Sequence, residues 1–185
     1  MNYEKQALVK HLPSTLKIDM VIIDTKLDLD TSYEQRDVVR GICIKDSKIL
    51  VLYPKEENIY GIPGGGIEIN ESHEDALKRE LYEEVGALDI QVIEYLGKMT
   101  SYRKKYQTDQ LFVPTHHLYL VDIKSFGSQH LIAYEEDLGL QFDFVDIHQV
   151  IETNELAIKK RNQAYLDFYT NQTLLFKTIK KIFSL

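Results

Sequence analysis

Hydrophobic positions along the chain alternate between two spacings, and the switches mark its elements. The segment TLKIDMVIIDTKLDL, starting at Thr15, is rich in β-branched and aliphatic residues and predicts an early strand, followed by a polar stretch around Thr31 to Asp37. Two apolar runs, Val38 to Ile44 and Lys48 to Tyr53, flank the tripeptide KDS and predict a β-hairpin with a short polar turn. PKEENIYGIPGGG then reads as a loop. From Ser72 to Val85 the period changes: Leu77, Leu81 and Val85 recur every four residues, Ser72 and Asp75 resemble a capping box, and Gly86 stands where a left-handed residue ends a helix.

Beyond that helix, IQVIEYLGKMTSY and LFVPTHHLYLVDI predict two strands around the basic turn RKKYQTDQ, and LQFDFVDI a shorter one. Asp146 to Glu152 predicts a short helix. The remaining stretch from Glu155 carries Leu156, Ala164, Tyr165, Phe168, Leu175, Ile179 and Ile182 on one stripe, which suits a long amphipathic helix packed on the sheet with a break near Asn171. His116 and His117 are neighbours in a strand, so they point to opposite faces, one into packing and the other to solvent. Tyr165, Phe168 and Tyr169 read as core positions.

Composition narrows the picture. With 185 residues, 44% hydrophobic and 28% charged, the chain has the content of one globular domain. A net charge of −7 argues against DNA or another polyanion as partner, since phosphate contacts need clustered Lys and Arg. Cys43 is the single cysteine, which excludes an internal disulfide, and its apolar surroundings predict a buried thiol. The start of the chain lacks the apolar stretch of a signal peptide, and no run of about 18 apolar residues occurs. The expectation is a cytoplasmic protein without a membrane partner.

The chemistry concentrates between Gly65 and Ala87, GGIEINESHEDALKRELYEEVGA. On a helix, Glu80, Glu83 and Glu84 occupy an arc of about 100° beside the apolar stripe of Leu77, Leu81 and Val85. So many carboxylates beside a glycine-rich loop repel one another unless a cation is shared among them. Hard divalent ions take such oxygens, completing their shell with water and substrate phosphates. Arg79 can reach back to Glu71 or an adjacent carboxylate and orient it. The triplet of glycines lets backbone approach ligand or backbone without a Cβ intervening.

This run resembles the Nudix box, G-x5-E-x7-R-E-U-x-E-E-x-G-U with U a bulky aliphatic residue. Gly65 matches the first glycine, Glu71 the first glutamate, Arg79 and Glu80 the central pair, Leu81 the aliphatic position, Glu83 and Glu84 the paired acids and Gly86 the last glycine; only Ala87 departs, being smaller than expected. Seven specified residues coincide by chance with a probability on the order of 10⁻⁸ per start point at average composition.

The resemblance implies an α/β fold, an α/β/α sandwich on a mixed β-sheet, and hydrolysis of a nucleoside diphosphate linked to another moiety with Mg²⁺ or Mn²⁺. It implies Glu80, Glu83 and Glu84 as metal ligands, Glu71 as an accessory ligand or an orienting group, and Gly65, Arg79 and Gly86 as structural or orienting residues. The general base is either a box glutamate, Glu80, or a carboxylate from a loop, with Glu135 and Glu136 as candidates and Glu136 entered beside the box acids. A binding domain that keeps the fold as a metabolite sensor is the alternative.

Tyr102, Arg103 and Tyr106 interleave aromatic and basic residues and are candidates for holding a base and phosphates, against a solvated hairpin tip. The substrate is expected to be a small nucleotide-type molecule. Residues 1–36 exceed a minimal core and are read as an extension that packs on the core or on a partner subunit of a homodimer; 37–185 form the domain proper.

Overall fold

The computed structural model describes residues 6–11, 18–23, 32–105, 108, 110–160 and 166–185. Among the described residues, eight strands and four helices follow in the order β1 (Gln6–His11), β2 (Ile18–Ile23), β3 (Tyr33–Ile42), β4 (Ile44–Lys45), β5 (Lys48–Pro54), α1 (His73–Val85), β6 (Ala87–Lys104), β7 (Leu111–Phe126), α2 (Ala133–Asp137), β8 (Leu140–Asp146), α3 (Ile147–Lys160) and α4 (Leu166–Phe183). The expected α/β class with a mixed sheet is present. A five-stranded sheet runs β1-β2-β6-β7-β3, and a second sheet runs β4-β5-β8. Within the larger one, β6 and β7 pair antiparallel, whereas β2 on β6 and β3 on β7 pair parallel.

Alternation along the strands sends side chains to two cores. Leu50 and Leu52 of β5 join Val39, Cys43, Val121 and Ile123 against Ala76, Leu77, Leu81 and Val85 of α1. Ile49 and Val51, one position over, face the other way and pack with Met99, Leu118 and the α3–α4 residues Val150, Leu175, Phe176 and Ile179. Helices thus cover both faces, as in a sandwich. Cys43 is buried as expected.

The predicted hairpin divides between the two sheets. β3 belongs to the large sheet; after Cys43 the chain re-enters as β4 and turns through Asp46 and Ser47, both at positive φ (49° and 61°), into β5. Two positive-φ residues give a hairpin turn whose twist matches its strands.

The expected early strand is present as β2, which pairs antiparallel with β1 and buries Ile18, Met20 and Ile22 in the core. Three other readings are corrected. The short helix predicted to end at Glu152 continues to Lys160, and α4 runs through Asn171 without the break expected there. Polarity misled here: Asn154 is buried and clamps the Tyr60 peptide, accepting from its N–H (2.7 Å) and donating to its carbonyl (2.9 Å). Asn171 is likewise buried within α4, while Leu156 is exposed. Lastly, AYEED, read as loop, forms the one-turn helix α2. Ala164 and Tyr165 lie outside the described residues.

Candidate functional site

Helix α1 is fixed at both ends. The Ser72 hydroxyl accepts from the Asp75 N–H at 3.1 Å, and Gly86, at φ 62°, donates its N–H to the Tyr82 carbonyl at 3.0 Å. A side chain at Gly86 would strain that left-handed turn. The helix buries Ala76, Leu77, Leu81, Val85 and Glu84, so the last acid of the box lies under the helix rather than along its margin.

Arg79 organises the other acids. A guanidinium has five N–H donors, and all five are used. Nε donates to Glu71 Oε1 (2.8 Å), Nη2 to Glu71 Oε2 and to the Gly66 carbonyl (both 2.9 Å), and Nη1 to Glu80 Oε1 (2.8 Å) and Glu83 Oε2 (3.2 Å). Arg79 thus reaches Glu71 through two hydrogen bonds, with Glu80 and Glu83 on the same group. The Arg79 hydrogen bonds pull the Glu71 carboxyl down to about 2, and Arg79 itself is held above its ordinary value by the same contacts. Gly65 sits against Glu80: a Cβ there would fall 2.4 Å from Glu80 Oε2.

Glu84 is treated differently. Its Oε2 accepts from the Gly64 N–H at 2.5 Å, and burial pushes its carboxyl up to about 8 against the opposing pull of Arg40 and that N–H. Burial also raises Glu80, countered by Arg79. Arg40, buried itself, donates to the Ile62 carbonyl (3.0 Å) and to that of Gly64, so one strand residue ties the glycine loop to the acids. The sequence reading did not single out Arg40, although a lone cation inside the apolar run VVRGICI was its signal. Arg36, on the same face of β3, packs against Gly66.

The segment after β7 is tied to the end of α1. His130 donates its N–H to the Glu83 carbonyl (2.8 Å), the Gln129 amide to the Glu84 carbonyl (2.6 Å), and the His130 ring stacks on Tyr82 at 4.4 Å. Through these contacts α2 is brought near the acids. Of its two glutamates, Glu135 acts electrostatically on Glu84, while Glu136 is exposed. Among the described residues no three His, Cys, Asp or Glu side chains converge as a metal cage; Arg79 holds Glu71, Glu80 and Glu83 in its own network instead.

The candidates on β6 separate. Arg103 lies over the Phe112 ring (4.9 Å), on the sheet face covered by α4, and Tyr102 points to the opposite face. Tyr106 lies outside the described residues. His116 is buried beside Arg40 (Nε to Nδ1, 3.3 Å); His117, on the other face, meets Asp37 at 3.1 Å and is only partly open to solvent. Phe168 and Tyr169 are half-buried, their rings 5.1 Å apart. No described helix is long and apolar enough to cross a membrane.

Fold and site together describe an α/β sandwich in which a glycine-rich loop cradles an arginine-organised set of carboxylates. A family model of the NUDIX domain matches residues 35–169. The chain belongs to the Nudix hydrolase family. The RNA pyrophosphohydrolase of Pasteurella multocida is 45% identical over 62 residues, which make up 31% of this chain and 31% of that protein. The match therefore spans less than a third of that relative. The RNA pyrophosphohydrolase of Sulfurovum sp. is 27% identical over 125 residues, 64% of this chain and 78% of that one. Among solved structures, a NUDIX hydrolase from Nitrosomonas europaea superposes with a TM-score of 0.53 at 16% identity, covering 80% of this chain and 91% of the other, a likeness of fold alone.

Proposed function

We propose that this protein hydrolyses the pyrophosphate linkage of a nucleoside diphosphate joined to another moiety, using Mg²⁺ or Mn²⁺ held by Glu80, Glu83 and Glu84 with help from Glu71. The observation that carries the reading is Glu84: a carboxylate buried beneath a helix and set on the Gly64 N–H beside Arg40 is costly to keep without a cation to share. The donor set is all hard oxygen, which fits these ions and not softer ones.

When bound, a divalent ion would neutralise phosphate oxygens and acidify a water. The chain's own residues do the remainder. Arg79 fixes the carboxylates so that a cation competes with it for Glu80 and Glu83. Arg40 sets the Gly64 peptide against Glu84. Glu80, raised by burial against the pull of Arg79, is one candidate for accepting the proton; α2 offers the second route, with Glu135 better coupled to the acids than Glu136.

The experiment is product release from a panel that includes ADP-ribose, UDP-sugars, dinucleoside polyphosphates and 5′-triphosphorylated RNA, the last suggested by the relatives' names, with Mg²⁺ or Mn²⁺ and with chelator. Chelator-sensitive cleavage supports the reading. Tight binding without turnover would instead make the chain a nucleotide-sensing domain. A cytoplasmic setting and a homodimer exchanging residues 1–36 belong to the same proposal, tested by fractionation and by light scattering.

A further inference from the structure

A helix that stops leaves its last carbonyls without partners of its own. For α1 these include Glu83 and Glu84, and the segment after β7 serves both. The His130 N–H donates to the Glu83 carbonyl at 2.8 Å and the Gln129 amide to the Glu84 carbonyl at 2.6 Å. Gly127 adds a third bond, from its N–H to the Gly86 carbonyl at 2.7 Å.

Gln129 does more than cap. A side-chain amide has two N–H donors, and the second reaches the Leu140 carbonyl at 3.2 Å, where β8 begins. Residues 129 and 140 flank the loop that contains α2, so one half-buried amide closes the neck of that loop and fastens it to the end of the acid-bearing helix. The stack of His130 on Tyr82 keeps the first part of the loop against α1. At the other end Gly139, at φ 59°, donates its N–H to the Glu136 carbonyl at 2.9 Å as the chain turns into β8. Inside the loop, Glu135 Oε2 accepts from the Ile132 N–H at 3.1 Å, which holds that half-buried side chain, whereas Glu136 is exposed. Glu135 lies near enough for its charge to act on Glu84.

We propose that Gln129 is a positioning residue: by clamping the loop neck onto the Glu84 carbonyl, it sets the Glu135 carboxylate against the acids, where it takes the proton of the attacking water. Water gives that proton to Glu135 while its oxygen bonds to phosphorus; the bridging P–O bond breaks and its electron pair leaves with the departing phosphate. The inference rests on the hydrolytic reading above and chooses between its two routes for the proton.

The test uses the full chain with Mg²⁺ and whichever of ADP-ribose, a UDP-sugar, a dinucleoside polyphosphate or 5′-triphosphorylated RNA wild type cleaves fastest. Gln129→Met keeps the length of the side chain and loses both donors. It should lower kcat about 10-fold while the half-saturating Mg²⁺ concentration changes less than about 2-fold, since the loop moves and the metal-side carboxylates do not. Gln129→Lys, which returns donors to a helix end that favours a cation, should restore kcat to within about 3-fold. Glu135→Gln keeps an acceptor for the Ile132 N–H but removes the base; in that background Gln129→Met should lower kcat by less than about 2-fold, the sign of two residues acting through one function. Without substrate, amide hydrogen exchange across residues 130–139 should speed up about 10-fold or more in Gln129→Met. An equal loss in both backgrounds, a loss abolished by saturating Mg²⁺, wild-type kcat in Glu135→Gln, or unchanged exchange would overturn the proposal. Wild type that cleaves none of the probes, with exchange still raised by Gln129→Met, would remove the hydrolytic reading and leave the clamp on the loop standing.

Discussion

The two helical layers treat buried polarity in opposite ways. Under α1, every N–H of Arg79 meets an acceptor and three carboxylates share one cation. Under α4, among the described residues, Ser101 Oγ, Asn171 Oδ1 and Gln172 Nε2 are buried without a hydrogen-bond partner. A closed network holds side chains before any ligand arrives and minimises reorganisation during reaction. An open one costs stability, because each buried polar atom has lost water without a partner. Arg40 belongs to both layers, with His116 and Phe168 on one side and Gly64 and Glu84 on the other.

The largest effect expected comes from Glu84→Gln. On the proposed reading this removes an oxygen ligand of the metal and should lower kcat roughly 10³-fold. Stability of the metal-free protein should move the other way. The folded carboxyl lies at about 8 and the unfolded one at 4.5, so the native state holds the extra proton between these values and metal-free stability falls as pH rises through that window. At pH 7 this costs about 3 kcal/mol at about 1.4 kcal/mol per pK unit. Glutamine escapes that cost. Calorimetry of chelated samples at pH 5 and pH 8 should show the variant's Tm advantage only at the higher pH; an equal or lower Tm at pH 8 would contradict the burial argument.

Arg79→Lys follows. Lysine keeps the charge but offers three rotatable donors on a point charge where arginine offers five in a planar fork. Glu71, Glu80 and Glu83 cannot all be held, and kcat should fall roughly 10²-fold, a magnitude typical of lost positioning, with KM for the metal changed as well. Kinetics across a magnesium titration separate the two terms. Unchanged kcat at saturating metal would show that the carboxylates do not need Arg79 for their placement.

Legibility in the sequence followed the same division. The α1 layer was readable because its constraints are local: Ser72, Arg79, the glutamates and Gly86 lie within one helix and its flanks, where spacing alone fixes which side chains meet. The mixed sheet and its helical cover were also legible, from alternation and from the box. The α4 layer was not, since its polar residues are buried by packing between α4 and strands β3, β6 and β7 that lie far apart in sequence. Asn171 and Gln172 looked like a helix break because amides favour caps and loops, and nothing local reveals that they are buried. Arg40 was overlooked for the same reason: its partners, Ile62 and Gly64, are set by tertiary folding.

Gly65→Ala probes the contact between layer and loop more gently. The added methyl would lie 2.4 Å from a Glu80 oxygen, closer than van der Waals contact allows, so the carboxylate must swing away from Arg79. On the proposed reading activity should drop about 10-fold, as a small misplacement of Glu80 in the site would cause, while the helix and its caps remain. Far-UV circular dichroism should be unchanged as the rate falls. A rate equal to wild type would mean that Glu80 moves freely in the working enzyme.

The smallest effect is on the acid limb of stability and sets Glu71 against Glu84. Arg79 holds the folded Glu71 carboxyl at about 2 against 4.5 unfolded, so this group's contribution is complete above pH 4.5 and disappears as pH falls toward 2. That slope has the opposite sign to the one assigned to Glu84 at higher pH. Glu71→Gln should therefore flatten the decline in Tm below pH 4.5 and leave the profile between pH 5 and 8 nearly as in wild type, whereas Glu84→Gln should do the converse. Should both variants alter the same limb, the two carboxylates titrate as a coupled pair through Glu80 and Arg79, and the closed network reaches further under the helix than the Glu84 contact to Gly64 implies.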